Sequence, residues 1–214
     1  MQDYAKAIYA LESDEGTAST TALAERLNVR PASVSGMLRK LDALGLVVHE
    51  PYRGVGLTER GRAVALEVIR HHRLLELFLV ESLGMGWDEV HTEAERLEHV
   101  LSEELEELIA AKLGNPTLDP HGDPIPSAQL TIAEDESRSL YTLEPGEQAT
   151  FVRVSDAHPE MLRFLGERGI APGARLEAIE RHPFDGPLYV RVGDDVHVLG
   201  AVLARAMRIT TDER

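Results

Sequence analysis

Thr20-Thr21-Ala22-Leu23-Ala24-Glu25-Arg26-Leu27-Asn28-Val29-Arg30-Pro31-Ala32-Ser33-Val34-Ser35-Gly36-Met37-Leu38-Arg39-Lys40-Leu41 sets the architecture of the N-terminal third of the chain. Thr20 to Leu27 predicts a short helix, with Thr20 or Thr21 as its cap and Leu23 and Leu27 on its inner face. Asn28-Val29-Arg30-Pro31 predicts a turn, and Pro31, which has no backbone donor, suits the first turn of a second helix. That helix turns Val34, Met37, Leu38 and Leu41 inward. Its outer face, with Pro31 at its start, carries Arg30, Ala32, Ser33, Ser35, Gly36 and Arg39. Small and hydroxyl residues let a helix enter a major groove closely, while Arg and Ser reach phosphates and base edges. Gly45 closes the helix, and Leu46 to Thr58 predicts a hairpin wing with Arg53 at its tip and Thr58 capping the next helix. A winged helix-turn-helix of this composition points to double-stranded DNA. The competing reading is a winged helix that contacts only protein.

The whole chain has 214 residues and a net charge of −15, which taken alone argues against nucleic acid. The distribution of charge along the chain points the other way. Residues 26–62 hold 7 basic and 3 acidic side chains, whereas residues 71–139 hold 4 and 16. Local charge decides what a surface can approach, so the head is suited to phosphate and the middle to cations. Cysteine is absent, which excludes disulfides, thiolate zinc sites, iron–sulfur clusters and a cysteine nucleophile. No apolar run approaches the ~20 residues of a membrane helix, and the start does not read as a signal peptide, so a cytoplasmic protein without a membrane partner is expected.

Residues 60–112 predict two long helices, the second running from Asp88 to about Lys112. Val90, Ala94, Leu97, Leu101, Leu105 and Leu108 form its apolar stripe, which with Leu75 and Leu79 is expected to supply both core and a two-fold dimer contact. Beside the stripe lie His91, Glu95, Glu98 and His99, and the preceding helix offers His72 and Glu76 four residues apart. His and Glu at this spacing on the border of a core stripe can hold a metal. Gly114-Asn115-Pro116 stops the helix, and Pro120, Pro124 and Pro126 punctuate a linker with no evident core, expected to move while a metal site is vacant. Period-two strands follow at 150–154, 175–179, 188–192 and 196–199, with a helix from Pro159 to Arg168 among them. The fold class is therefore mainly α with small β.

Three strings carry a resemblance. They are His71-His72-Arg73-Leu74-Leu75-Glu76, Val90-His91-Thr92-Glu93-Ala94-Glu95-Arg96-Leu97-Glu98-His99-Val100-Leu101-Ser102, and Pro120-His121-Gly122-Asp123-Pro124-Ile125-Pro126. Together with the winged helix they make the chain similar, over nearly its whole length, to the diphtheria toxin repressor family of metal-dependent transcription regulators. The resemblance implies a winged helix-turn-helix DNA-binding domain over 1–66, a helical dimerisation and metal-binding domain with a Pro-rich linker over 67–140, and an SH3-like (FeoA-like) β-barrel module over 141–214.

It further implies a primary metal site at Asp3, Glu95, Glu98 and His99. Iron-type members carry Met and Cys at the positions of Asp3 and Glu95, and manganese-type members carry Asp and Glu, as here. A further carboxylate of the manganese type, one helical turn after the Asp, is replaced by Lys6, which speaks against a closely coupled pair of ions. An ancillary site is implied at His72, Glu76 and His91, with Asp119, His121 and Asp156 as further ligand positions. The alternatives are a loop-turn role for Asp119 and a helix-cap role for Asp156. Independently of the resemblance, three carboxylates and one imidazole form a hard, oxygen-rich set that suits Mn²⁺ and needs no sulfur. The function implied is a Mn²⁺-activated repressor of metal-uptake and metal-homeostasis genes, a homodimer on a palindromic double-stranded operator, without catalysis or a small-molecule substrate. An Fe²⁺-dependent repressor is the alternative within the family. A metal-dependent hydrolase is the reading from another class.

Overall fold

The structure, a computed structural model, describes residues 1–50 and 54–211. The head comprises α1 (Gln2–Glu15), α2 (Thr20–Arg26), α3 (Pro31–Ala43) and the hairpin β1 (Val47–Glu50) and β2 (Gly54–Leu57). Ser19, one residue earlier than expected, caps α2: its backbone is extended and its hydroxyl accepts from the amide of Ala22. Thr20 is already helical and so cannot serve. Asn28 takes the left-handed conformation (φ 50°) that a tight turn needs and that Asn tolerates. Ile8, Leu11, Leu23, Val34, Leu38, Leu41 and Val55 close a single core under these elements. Arg53, placed at the wing tip by the sequence, lies outside the described residues.

The middle is built on α4 (Glu59–Leu83), whose N-cap Thr58 accepts from the amide of Gly61. The expected single helix over 88–112 is two, α5 (Val90–Leu97) and α6 (Glu103–Lys112). Two local preferences break it. Ser102 adopts an extended backbone and its hydroxyl accepts from the amide of Leu105, a cap that competes with helix continuation. Glu98, just past the end of α5, is drawn into the protein by charged partners described below. The break also splits the apolar stripe. Val90 and Ala94 are buried, whereas Leu97, Leu105 and Leu108 stand exposed beside Val100, which is 77% exposed. With Leu75, Phe78, Leu79, Leu83, Leu101 and Ile109, Leu97, Val100 and Leu105 line one continuous apolar cleft.

The C-terminal part contains β3 (Arg138–Ser139), β4 (Gln148–Val154), α7 (Pro159–Gly166), β5 (Arg175–Arg181), β6 (Leu188–Val192), β7 (Asp195–Leu199), α8 (Ala201–Ala206) and β8 (Met207–Thr210). The strands form an antiparallel sheet in the order β3-β8-β4-β5-β6-β7. The expected barrel is thus not closed: β3 and β7 each pair on one side among the described residues. Period-two alternation buries Phe151, Leu176, Ala178, Leu188 and Val190 against Leu162 and Leu165 of α7.

The linker does have a core. Ile125 packs with Leu74, Leu77 and Ile109. Arg70 donates to the carbonyl of Pro126 at 2.7 Å and Arg73 to that of Pro124 at 2.5 Å, so α4 grips the prolines by the acceptors they retain. Gly122 (φ +87°) lies against β4 so closely that a Cβ there would meet the carbonyl oxygen of Val152 at 1.8 Å. The amide of Val154 donates to the carbonyl of His121 at 3.0 Å and completes the junction.

The exposed apolar cleft coincides with the face on which the sequence predicts a two-fold dimer contact. Leu105→Glu should leave the helical circular-dichroism signal unchanged and convert a dimer at micromolar concentration into a monomer by sedimentation. Chelation of metal should not. A dimeric Leu105→Glu protein would place the contact elsewhere.

Candidate metal centre

Among the described residues three groups of His and carboxylate side chains bring ligand-type atoms within 4.8 Å of one another. The first joins the head to the middle. Asp3, in the first turn of α1, places Oδ1 at 2.7 Å from His99 Nε2, and Glu98 Oε1 lies 3.7 Å from the same nitrogen. Glu95, expected here, is not brought in: its carboxylate turns to His91 Nε2 at 3.5 Å and is exposed. Glu98 keeps a helical backbone with its amide bonded to Ala94, and the two carboxylates part because Glu98 turns to Lys6 and His72 and Glu95 to His91.

The second group is His72, Glu76, His91 and Asp156. His72 and Glu76 face each other one turn apart on α4, Nε2 to Oε1 at 3.0 Å. His91 Nδ1 lies 3.3 Å from Glu76 Oε1 and 2.7 Å from Asp156 Oδ2, so Asp156 is a member and not a helix cap. The third is Glu76, Asp119 and His121, all buried. The six positions assigned from the sequence to one ancillary site are therefore divided between two groups that share Glu76. Its Oε1 serves the second, and its Oε2 lies 3.8 Å from His121 Nδ1. The fully buried His121 ring donates through Nε2 to the carbonyl of Trp87 at 2.7 Å and stacks on the indole, which leaves Nδ1 without a hydrogen-bond partner. Asp119 Oδ1 accepts from the amides of His121 and Asp123, a turn role that leaves Oδ2 toward Arg73 at 3.7 Å.

Buried charges at this density perturb one another. Burial opposes ionisation of Glu76, yet hydrogen bonds from His72 and His91 outweigh it and bring its pKa down to about 2. Asp156 is likewise lowered, the His91 contact overcoming burial. Hydrogen bonds to Asp156 and Glu76 raise His91 to about 10. His72 is raised too, because Glu76 and Glu98 outweigh the burial that would lower it. Asp119 is pushed up to about 7 by burial first and by the charges of Asp123 and Glu76 next. In the second group His91, raised to about 10, is protonated at neutral pH and faces the carboxylates of Glu76 and Asp156.

Three supports of this centre come from outside its ligand candidates. Lys6 donates to Glu98 Oε2 at 2.9 Å and lies 3.1 Å from His72 Nδ1. Trp87 orients His121. His71 and Arg70 close on Glu106, at 2.8 and 2.5 Å, and so tie α6 to α4. Lys6 shows in the sequence as a helical neighbour of Asp3, whereas the others arise from segments distant in the chain.

The candidate DNA surface is arranged as the sequence suggests. Arg30, Pro31, Ala32, Ser33, Ser35 and Arg39 are exposed along α3, and Gly36 is half-buried. Arg39 Nε donates back to the carbonyl of Ser35 at 3.3 Å, which leaves its terminal nitrogens clear of that bond.

The iron dependent repressor N-terminal DNA-binding domain matches residues 1–55, and the iron dependent repressor metal binding and dimerisation domain matches 58–127. A FeoA domain matches 138–211. The chain is 34% identical to the iron-dependent repressor IdeR of Mycobacterium tuberculosis over 96% of its own length and 94% of that protein's. It is 37% identical to the diphtheria toxin repressor of Corynebacterium diphtheriae, over 58% of its length and 54% of that protein's. A manganese-dependent transcriptional repressor in complex with manganese superposes with a TM-score of 0.88 at 42% identity, covering 98% of this chain and 99% of that one.

A divalent cation entering the second group must displace the proton from His91. Since the His91 pKa is raised, affinity for the ion should climb with pH up to about 10. Stability contributed by the metal-free His91 contacts has the matching sign: fully present below pH 6.5 and lost as pH rises through about 10. Calorimetric titration at pH 7 in buffers of different ionisation enthalpy should register about one proton released per ion at this group, from His91. Release of none would mean that His91 is neutral beforehand.

Proposed function

The chain belongs to the iron-dependent repressor family, whose members are metal-dependent DNA-binding transcriptional repressors and not enzymes, and from that membership we propose that its own activating ion is Mn²⁺. The observation that carries the reading is that Asp3, from the first turn of the DNA-binding head, meets Glu98 and His99 of the dimerisation domain in one group. An ion there ties the head to the body. Two recognition helices must sit about one DNA turn, ~34–36 Å, or a multiple apart to read a palindrome, so fixing each head on its dimer core selects the arrangement that fits a palindromic operator. The ion makes no DNA contact. It shifts a pre-existing equilibrium by binding one arrangement better than the other.

The donor chemistry supports the choice of metal. Every ligand candidate is a carboxylate or an imidazole, a set that suits Mn²⁺ and lacks the sulfur of a softer site. The buried, unpartnered His121 Nδ1 facing Glu76 is the mark of a place prepared for a cation. Asp3, Glu98 and His99 would hold the regulatory ion, with Glu95 joining by a rotation of its exposed side chain. His72, Glu76, His91 and Asp156, extended by Asp119 and His121, would hold ancillary metal that fastens the linker and third module to the core. Glu98 and His99 orient the ion, Asp3 reports its presence to the head, and Arg70 and Arg73 keep the linker ligands in place. The protein would act in the cytoplasm on genes of metal uptake and homeostasis. Fe²⁺ is the second reading, favoured by the name of the mycobacterial relative. Structures of the relative ScaR with Zn²⁺ and Cd²⁺ fit the general rule that affinity alone does not select Mn²⁺.

Anaerobic titration of operator binding with Mn²⁺ and Fe²⁺ tests the assignment: Mn²⁺ should activate at lower free concentration, and activation by Fe²⁺ alone would overturn it. Glu98→Gln should abolish activation, a loss of about tenfold to a hundredfold in operator affinity, the size of an ordinary allosteric coupling. Glu76→Gln should weaken activation while primary-site binding survives. On the DNA side, Arg39→Ala should weaken binding and lower the salt slope by about one phosphate. An unchanged slope combined with relaxed sequence choice would instead place Arg39 on a base edge.

A further inference from the structure

The strand β2 pairs with β1 along one edge. Along its other edge the amides of Val55 and Leu57 leave in the same direction, because alternate amides of a strand share an edge. Each finds an acceptor from the start of the chain. The amide of Val55 donates to the carbonyl of Ala18 at 3.0 Å, in a single antiparallel bridge. The amide of Leu57 donates to Glu12 Oε1, a side chain of α1, at 2.9 Å in a half-buried setting. Among the described residues no third strand runs along this edge. The Glu12 carboxylate supplies the acceptor that a neighbouring strand would otherwise give, and a carboxylate accepting from a backbone amide makes a stronger bond than the neutral pair it replaces.

The hairpin is seated closely at this edge. A Cβ on Gly54 (φ +106°) would meet the carbonyl oxygen of Ala18 at 2.4 Å. At the opposite edge the hydroxyl of Thr58 donates to the carbonyl of Gly45 at 2.8 Å. Two strands of four residues have little stability of their own, so these supports decide how the hairpin stands on the head. Glu12 follows Asp3 by nine residues, two and a half helical turns, and so leaves the opposite side of α1 about 13 Å further along its axis. Asp3 faces His99 of the body, and Glu12 faces the hairpin.

We infer that Glu12 is a positioning residue for DNA binding: its carboxylate fixes the β1–β2 hairpin on α1 at the angle that brings the residues between the two strands, Arg53 among them, to the phosphate backbone. The inference rests on the reading of the hairpin as a wing that touches DNA. Glu12 touches no DNA and acts through the Leu57 amide. Removing an acidic charge from a DNA-binding head would by itself strengthen the attraction to phosphate, so a loss of binding on replacing Glu12 has the opposite sign to a bare charge effect.

The test measures how binding of the full-length, Mn²⁺-loaded dimer to operator and to random duplex depends on salt, for the wild type, Glu12→Met, Glu12→Gln and Arg53→Ala. Glu12→Met keeps the length of the side chain and removes the acceptor. It should lower the magnitude of the salt slope by about 0.9, one phosphate's worth, and weaken both duplexes in parallel. Glu12→Gln loses the same charge, but its amide oxygen can accept from Leu57, and it should restore the wild-type slope. A folded Glu12→Met protein with the wild-type slope overturns the inference, as does a Glu12→Gln protein with the lowered slope of Glu12→Met. If Glu12→Met does not fold, Glu12→Asp decides, since it keeps the charge and withdraws the acceptor by one methylene: a lowered slope supports the inference and an unchanged one overturns it. If Arg53→Ala leaves the slope unchanged, the wing reading fails and the inference falls with it. A lowered slope in Arg53→Ala beside an unchanged one in Glu12→Met leaves the wing reading standing and removes only the role of Glu12.

Discussion

Glu98 carries a buried negative charge that two separate segments neutralise. Lys6 comes from the head and His72 from the spine helix. Burying a carboxylate without such partners would cost several kcal/mol, so the charge enforces the assembly of the pieces around it. Burial pushes the Glu98 pKa up, but His72 and Lys6 outweigh it and hold the group ionised, ready to accept a cation without first losing a proton. The same requirement explains the local backbone. Drawing Glu98 inward is compatible with a helix that ends at Leu97 and restarts at the Ser102 cap.

The spine helix α4 concentrates this logic. Over Arg70 to Glu76 it presents two arginines, two histidines and a glutamate, and all but Arg73 are buried. Each has a designated partner: Arg70 and His71 on Glu106, His72 on Glu98 and Glu76, Arg73 on the linker. Apolar residues at intervening positions, Leu74, Leu75 and Leu77, keep the helix packed while the polar ones point to different neighbours. The head, the His–carboxylate groups and the exposed apolar cleft are thus all referred to one helix, which is what the proposed switch needs if an ion is to change the placement of a distant recognition helix.

The third module meets the segments around α4 through polar and backbone contacts, with Trp87 packed against its core. His91 reaches Asp156, Arg163 reaches Asp88 at 3.1 Å, and Gly122 lets the linker touch the backbone of β4. An ion shared between Glu76 and linker ligands would add to these contacts at their least stable point, the region of raised Asp119 and Asp123 pKa values.

The sequence by itself determined the elements whose signal is local. Periodicity placed the helix-turn-helix, Thr58 announced the cap of α4, alternation placed the strands, and the family strings singled out His72, Glu76, His91, Glu98 and His99. Tertiary structure decided what depends on partners remote in the chain. A periodic stripe cannot reveal that Ser102 would cap a new helix, nor that Glu95 would turn away from Glu98. The resemblance could nominate Asp119, His121 and Asp156, but the two oxygens of Glu76 sort them into two groups, and that depends on where Trp87 and β4 hold the linker. The resemblance marks Lys6 as a departure from the manganese type, but its partners Glu98 and His72 lie 92 and 66 positions away and are supplied by the fold. Hydrophobic period is a property of neighbouring residues, whereas the neutralisation of a buried charge is a property of whatever the fold brings beside it.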